Sequence, residues 1–235
     1  MMISIAILAI VGAIAVSSLV QFRGVVRERQ YERSLALAQR QLARLRQAPF
    51  ETLPPEVVKV GPGGRLKLSQ RDLVEGSVRL WRPDGATEVA PQKVDLERGV
   101  LEVSPDLAGQ QVVADYQFQL PDTGEAHYLD QQGGITLENR PVRRLEGVLL
   151  ARGDQMVPVT NYSLQGDRVV IKGAPDKGLV VADYLGGPDG NQAGGRFLDR
   201  EMQDSGKPSD LKMITLQEPY NGPFRVSLTL LKVRP

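Results

Sequence analysis

The chain contains no cysteine and only one histidine, His127, among its 235 residues. The absence of cysteine excludes disulfide bonds, thiolate metal sites and a thiol nucleophile. A single histidine also excludes any metal site that is built on several histidines. The formal net charge is +1, so the overall charge gives no reason to expect a nucleic-acid partner.

The first 22 residues contain no charged side chain, and no proline occurs before Pro49. A helix of this length spans about 33 Å, which is enough to cross a hydrocarbon core of about 30 Å. Residues 23–48 hold seven arginines against two glutamates. Their apolar residues keep helical spacing. We therefore predict one long helix over 1–48, apolar in its first half and amphipathic in its second, which ends at Pro49.

The apolar first half is predicted to be a retained membrane and assembly segment, with a cleaved secretory signal as the rival interpretation. A signal peptide begins with a basic region, but no lysine or arginine precedes Arg23. Small residues such as Ala9 and Gly12 would let packed helices approach closely. The predicted assembly residues are Ile3, Ile7, Ala9, Ile10, Gly12, Ala13, Val16 and Leu19.

The amphipathic second half carries an apolar seam with spacings of 4, 3, 4 and 3 residues, which is typical of coiled coils. The seam either packs against the protein's own β domain or packs against other copies of the chain, and the pattern alone leaves both open. The seam residues are Tyr31, Leu35, Ala38, Leu42 and Leu45.

The region after Pro49 contains an internal repeat with an offset near 70 residues. The sequence Val-Val-Ala-Asp-Tyr occurs at 112–116 and again in full at 180–184. Short apolar runs separated by Gly and Asp turns precede it in the same order in both copies. This pattern is typical of short antiparallel strands joined by hairpins. At this size each unit is marginally stable alone, so the two units are expected to pack together or on the helix.

The sequence thus predicts an α+β fold: a long N-terminal α-helix that carries mainly antiparallel β domains, including two tandem repeated small β sandwiches or barrels. The predicted segments are the helix at 1–48, a linker at 49–62, the first β repeat at 63–120, a linker at 121–132, the second β repeat at 133–185, a Gly-rich loop and short helix at 186–210, and a C-terminal β hairpin at 211–235.

Two stretches at opposite ends of the chain carry a family resemblance. Residues 34–50 read Ser-Leu-Ala-Leu-Ala-Gln-Arg-Gln-Leu-Ala-Arg-Leu-Arg-Gln-Ala-Pro-Phe, directly after the apolar stretch and its arginines. Residues 211–215 read Leu-Lys-Met-Ile-Thr, and residues 226–229 read Val-Ser-Leu-Thr. Both ends resemble the type IV pilin and type II secretion pseudopilin family, with minor pilins as the nearest match. The chain departs from the family pattern at its start, where no glutamate precedes Glu28.

The resemblance implies a structural subunit that is inserted in a membrane before assembly and then packs with copies of itself, and with other pilin-like subunits, in an extracellular filament. A second hypothesis is an envelope protein that is anchored by one helix, carries tandem β spacer or binding domains, and forms no polymer. Arg23, Arg27 and Arg29 favour a cytoplasmic side just after the apolar stretch, whereas a pilin needs the opposite orientation.

No pattern in the sequence predicts a catalytic site, a cofactor site or a metal site. Asp115 and Asp183 occupy matching repeat positions and would serve as Ca²⁺ ligands, as partners across an interface or, most commonly, as turn-capping residues. The Arg-Gly-Asp sequence at 152–154 fits a hairpin turn, and a glycosylation sequon occurs at 161–163. We therefore predict that the protein is not an enzyme and that it binds no cofactor.

Overall fold

The computed structural model describes residue 28 and residues 31–138, 140–153, 155–175, 177–186, 190–197, 208–219 and 225–235. The described part is mostly β, with several sheets and one short α-helix at 31–47, so the predicted α+β fold with a long N-terminal helix is wrong. Helices in proteins gain most of their stability from packing an apolar side on a partner. Among the described residues of this helix, the apolar side chains that pack against the β structure are Leu35, Ala38, Leu42 and Leu45.

The helix α1, residues 31–47, ends immediately before Ala48 and Pro49. A 3₁₀ turn at Phe50–Thr52 leads from it into the first strand. No helix within the described ranges has both the length and the apolar character needed to cross a membrane. The predicted assembly residues between Ile3 and Leu19 lie outside these ranges.

The first unit, residues 56–115, folds into two small antiparallel sheets with strand orders β1-β7-β3-β4 and β2-β6-β5. Its strands are β1 (Glu56–Lys59), β2 (Arg65–Lys67), β3 (Arg79–Trp81), β4 (Glu88–Val89), β5 (Lys93–Asp95), β6 (Val100–Glu102) and β7 (Gln111–Asp115). The turn between β5 and β6 requires glycine, since Gly99 has a φ of +64° and a Cβ there would lie 2.1 Å from the carbonyl oxygen of Gln70.

The second unit, residues 122–185, repeats this topology strand for strand, with the orders β9-β15-β11-β12 and β10-β14-β13. Each unit begins one strand earlier than the boundaries predicted at 63 and 133. The strands of the second unit are β9 (Asp122–Tyr128), β10 (Gly134–Thr136), β11 (Arg144–Arg152), β12 (Gln155–Pro158), β13 (Tyr162–Gln165), β14 (Arg168–Ile171) and β15 (Leu179–Leu185).

The buried core residues of the two units occupy equivalent positions in their strands. Strand registers make nine buried side chains of one unit equivalent to buried side chains of the other. The equivalent pairs are Val60 and Leu129, Leu66 and Ile135, Leu68 and Leu137, Leu80 and Val148, Leu101 and Val169, Val103 and Ile171, Val112 and Val180, Ala114 and Ala182, and Tyr116 and Tyr184.

A fifth antiparallel sheet among the described residues, which we call the basal sheet, has the strand order β18-β17-β16-β8. Its strands are β8 (Gln117–Gln119), β16 (Gln192–Phe197), β17 (Leu211–Pro219) and β18 (Arg225–Val233). The prediction of a Gly-rich loop and short helix over 186–210 therefore missed β16. Glycine suits this strand, because a Cβ on Gly195 would lie 2.0 Å from the carbonyl oxygen of Pro54. The strand thus approaches the chain after α1 more closely than any larger residue allows.

Two apolar cores hold the molecule together. One core joins α1, the first unit and the basal sheet, and the other lies entirely within the second unit. The basal sheet and α1 therefore form one body with the first unit, while the second unit is attached to that body through polar contacts described below.

Candidate functional site

The amphipathic seam of α1 packs against the protein's own β structure. Ala38 and Leu45 are buried in the first core, and Leu35 and Leu42 pack partly buried against it. Tyr31, the first seam residue, remains 44% exposed. Of the two interpretations that the spacing left open, the structure therefore shows packing on the same chain for the four seam residues from Leu35 onward.

Lys212 of β17 ties the end of α1 to the basal sheet from inside the core. Its side chain is 2% exposed, and its Nζ donates hydrogen bonds to the carbonyl oxygens of Phe50 (2.7 Å) and Leu53 (2.8 Å). The same ammonium lies 3.9 Å from the centre of the Phe50 ring, in cation–π geometry. Burial lowers the pKa of Lys212 to about 8, although the nearby Glu56 carboxylate opposes this effect.

Lys232 of β18 binds the last turn of α1 from outside. Its Nζ donates to the carbonyl oxygens of Leu45 (3.2 Å), Arg46 (3.0 Å) and Ala48. The last carbonyl groups of a helix lack partners within the helix and carry partial negative charge, so a lysine there is doubly favourable. The C-terminal hairpin thus supplies both of the lysines that fix the end of α1.

Each unit contains a buried tyrosine that donates a hydrogen bond to a buried glutamate. Tyr116 Oη donates to Glu56 Oε1 (2.7 Å) in the first unit, and Tyr184 donates to Glu125 Oε2 in the second. A backbone N–H donates to the same carboxylate in both units, from Ser69 (2.8 Å) and from Glu138 (2.9 Å). Burial, followed by the Glu56 charge, raises the pKa of Tyr116 above its usual range, which keeps its hydroxyl protonated and donating.

The two units differ around this shared pair. Ser69 Oγ donates to Glu56 in the first unit, whereas the equivalent residue of the second unit is Glu138. His127 replaces Val58, and its Nε2 lies 2.5 Å from Glu125 Oε1. Arg33 of α1 forms ion pairs with Glu138 and, at 3.6 Å, with Glu125. The second unit therefore presents a histidine and two carboxylates where the first presents one satisfied carboxylate.

An ion pair between a buried carboxylate and a partly exposed guanidinium joins the two units. Asp72, which is 4% exposed, accepts hydrogen bonds from Arg144 Nη1 (3.1 Å) and Nη2 (2.6 Å). Arg71 and Glu146 flank this pair and bond each other at 2.9 Å. The hydrogen bonds that Arg144 donates to Asp72 raise the pKa of Arg144, so the guanidinium stays charged. Among the described residues the two apolar cores share no side chain, and these charged contacts link the two units.

An open cleft of about 660 Å³ lies between the first unit and the outer face of the basal sheet. Charged side chains of both signs line it, including Glu75, Arg79, Asp115 and Arg196, and none of its lining residues is histidine or cysteine. Burial raises the pKa of Asp115 to about 6, although the Tyr116 N–H and the Arg79 charge oppose this shift. The cleft thus contains one carboxyl group, that of Asp115, whose pKa of about 6 lies near neutral pH. No histidine or cysteine among the described residues lines the cleft to act as its base or nucleophile.

Asp115→Asn is expected to stabilise the protein at pH 7 by on the order of 1–2 kcal/mol, since it removes a desolvated carboxylate. The folded state holds this proton more tightly than the unfolded state, so the stability that Asp115 contributes is lost as pH rises from about 4 to about 6. Urea unfolding followed at pH 4, 5, 6 and 7 measures the effect. The matched control is Asp183→Asn in the second unit, where the carboxylate accepts the Gly124 N–H at 2.7 Å and its loss should lower stability slightly. A mutant with the wild-type pH slope would contradict the assignment.

The two aspartates singled out by the repeat are not brought together. Asp115 faces the cleft, and Asp183 bonds Gly124 in the other unit. Arg152 ends β11 and Gly153 lies in the turn that leads to β12, in agreement with a hairpin turn. Sequence reasoning missed the Tyr–Glu pairs because Glu56 lies 60 residues before Tyr116, and only the β1–β7 register places them side by side. The repeated Asp-Tyr dipeptide was a sequence signal for the tyrosine of each pair, but not for its glutamate.

Comparison of the chain with protein-family models, with curated proteins and with solved structures finds no match.

Proposed function

We propose that this chain is a structural subunit of a pilus-like or pseudopilus-like extracellular filament. One observation carries the proposal: the two stretches that resemble pilin ends, about 165 residues apart, lie against each other. Residues of α1 share a core with β17 and β18, and Lys212 and Lys232 bond the carbonyl groups around the end of α1. The segments that carry the resemblance thus form one body, with the duplicated units inserted between them.

In such a subunit, the apolar residues that the chain itself does not cover would make the contacts with other copies. The seam from Leu35 to Leu45 is used within the chain, so contacts between copies would fall to the uncharged residues 1–22. Burial of this segment among neighbouring copies, or in a membrane before assembly, removes its apolar surface from water. Small residues at Ala9, Gly12 and Ala13 would allow close packing between copies.

The duplicated units would then be displayed outward. The ion pair of the buried Asp72 with Arg144 links the second unit to the first, so the two units would be displayed together.

The test is to shear cells that produce the full chain and to look for the intact protein in the sheared material as filaments. Ala9→Leu with Gly12→Leu should abolish the filaments and leave membrane insertion unchanged, because the added side chains block close packing and remain apolar. Ile5→Leu with Ile14→Leu is the matched control, since it adds two leucines without adding bulk. Filaments that persist in the Ala9 and Gly12 variant would contradict the packing mechanism.

A single-anchor envelope protein with tandem β domains is the second candidate. The observation that favours it is the seam, because a helix whose apolar side is covered by its own chain has less surface for other copies. Protein that stays with membranes until detergent is added, with none in the sheared fraction, would support this candidate instead.

A further inference from the structure

We propose that Glu125, His127 and Glu138 form a binding site for a divalent first-row transition-metal cation, and that Arg33 of α1 competes for the same site. Their ligand atoms, one imidazole nitrogen and two carboxylate oxygens, lie within 4.8 Å of one another. One nitrogen donor and two oxygen donors suit Zn²⁺ or Mn²⁺. Ca²⁺ and Mg²⁺ prefer sites in which every donor is oxygen.

The local fold holds the three ligand side chains with different firmness. Glu125 is 6% exposed and is held by the Tyr184 hydroxyl and the Glu138 N–H. His127 lies two residues along the same strand, on the same face of β9, and is partly buried. Glu138 is exposed and follows β10. Zinc ligand atoms stand about 3.3 Å apart in a tetrahedral site. A small movement of the exposed Glu138 side chain would close the remaining distance.

The duplication supplies an internal comparison. The first unit has the same strands, the same buried glutamate, Glu56, and the same tyrosine bond, but its equivalents of His127 and Glu138 are Val58 and Ser69. Glu56 is fully satisfied by Ser69 and Tyr116 there. The scaffold therefore folds without the two extra ligands, so His127 and Glu138 are not needed to hold the buried glutamate in place.

Arg33 shows that this pair of carboxylates attracts a cation. Its guanidinium forms ion pairs with Glu138 and with Glu125, although its own side chain is 49% exposed. A long exposed side chain exchanges readily with solvent, so a metal ion is able to displace it. Binding of the cation would release Arg33 and remove an ion-paired contact between α1 and the second unit.

The test uses the full chain without a histidine tag, in a non-ionic detergent, titrated with ZnCl₂. Because His127 is the only histidine, one imidazole signal in a ¹H–¹⁵N NMR spectrum reports the site directly. We expect that signal to shift and saturate at one Zn²⁺ per chain, with calorimetry giving the affinity.

Three variants distinguish the site from surface binding. Glu138→Gln should weaken binding by at least the roughly 10–100-fold that loss of an outer-shell partner costs. Arg33→Ala should tighten binding several-fold, because the competing cation is removed. Glu88→Gln, an exposed strand position in the first unit, should leave binding unchanged. The proposal is overturned if the imidazole signal does not move at equimolar Zn²⁺, if Glu138→Gln binds as tightly as the wild type, if Arg33→Ala binds more weakly, or if all chains show the same set of weak surface sites.

Discussion

Replacing Arg144 with alanine is expected to destabilise the folded protein by about 3–5 kcal/mol, because the change leaves a buried charge without its main partner. That charge belongs to Asp72, which accepts two hydrogen bonds from Arg144. Arg71, 3.6 Å from Asp72, is largely exposed and replaces little of this contact. Urea unfolding followed by the fluorescence of Trp81, the single tryptophan, reports on the first unit.

The matched control is Arg65→Ala. Arg65 and Glu102 form an exposed ion pair at 3.6 Å in the same unit, and exposed pairs contribute about 0–1 kcal/mol. The contrast between the two arginines tests burial of the partner carboxylate, since Arg144 binds the buried Asp72 as well as Glu146, whereas Arg65 pairs with the partly exposed Glu102. Equal effects of Arg144→Ala and Arg65→Ala would show that the contact between the units does not depend on this pair.

Lys212→Ala is expected to cost about 2–4 kcal/mol, because it opens a cavity and removes a charged donor from two buried carbonyl groups. Those carbonyls belong to Phe50 and Leu53, so the loss should act first on the attachment of α1 to the basal sheet. Hydrogen exchange of the amides in residues 42–47 measures this directly, since faster exchange there reports detachment of the helix end. Lys67→Ala, an exposed lysine of β2, is the control.

Lys212 also gives the protein a pH dependence at alkaline pH. Its folded pKa of about 8 lies below its unfolded value of 10.5, so the unfolded chain holds more protons between these values. Stability should therefore rise through this group as pH increases from about 8 to about 10.5. Lys212→Met keeps the side-chain length and lacks the charge, so its unfolding free energy should not show this rise. The same slope in the wild type and in Lys212→Met would contradict burial of the charged lysine.

The repeat was the part of the fold most open to prediction. Val-Val-Ala-Asp-Tyr marks β7 and β15, the strands that sit inside the four-stranded sheet of each unit, and their apolar residues fill both cores. The first strand of each unit was missed, because β1 follows Pro55 and β9 contains the polar run Asp-Thr-Gly-Glu, neither of which reads as a buried strand. The spacing of the α1 seam gave the buried side of the helix, although the choice between its own chain and other copies depended on the basal sheet.

The charged contacts were not predictable from sequence. Lys212 looks like an ordinary exposed position in an alternating strand, and its burial follows from Phe50 and Phe197 packing around it. Asp72 and Arg144 are 72 residues apart and meet only because the two units are stacked. Glu125 and His127 lie on β9, and Glu138 follows β10. The three residues do not follow a recognised metal-ligand spacing along the chain.

The most direct measurement for the filament proposal is disulfide cross-linking of a variant that carries Ala9→Cys and Val16→Cys. The natural chain has no cysteine, so every disulfide formed reports on the introduced positions. The proposal predicts a ladder of oligomers beyond the dimer in the sheared fraction after mild oxidation, because each subunit in a filament core has neighbours on several sides. Met156→Cys, at an exposed position of the second unit, serves as the control and should give no ladder. Monomer alone, or the same products as the control, would contradict a filament built through the N-terminal segment.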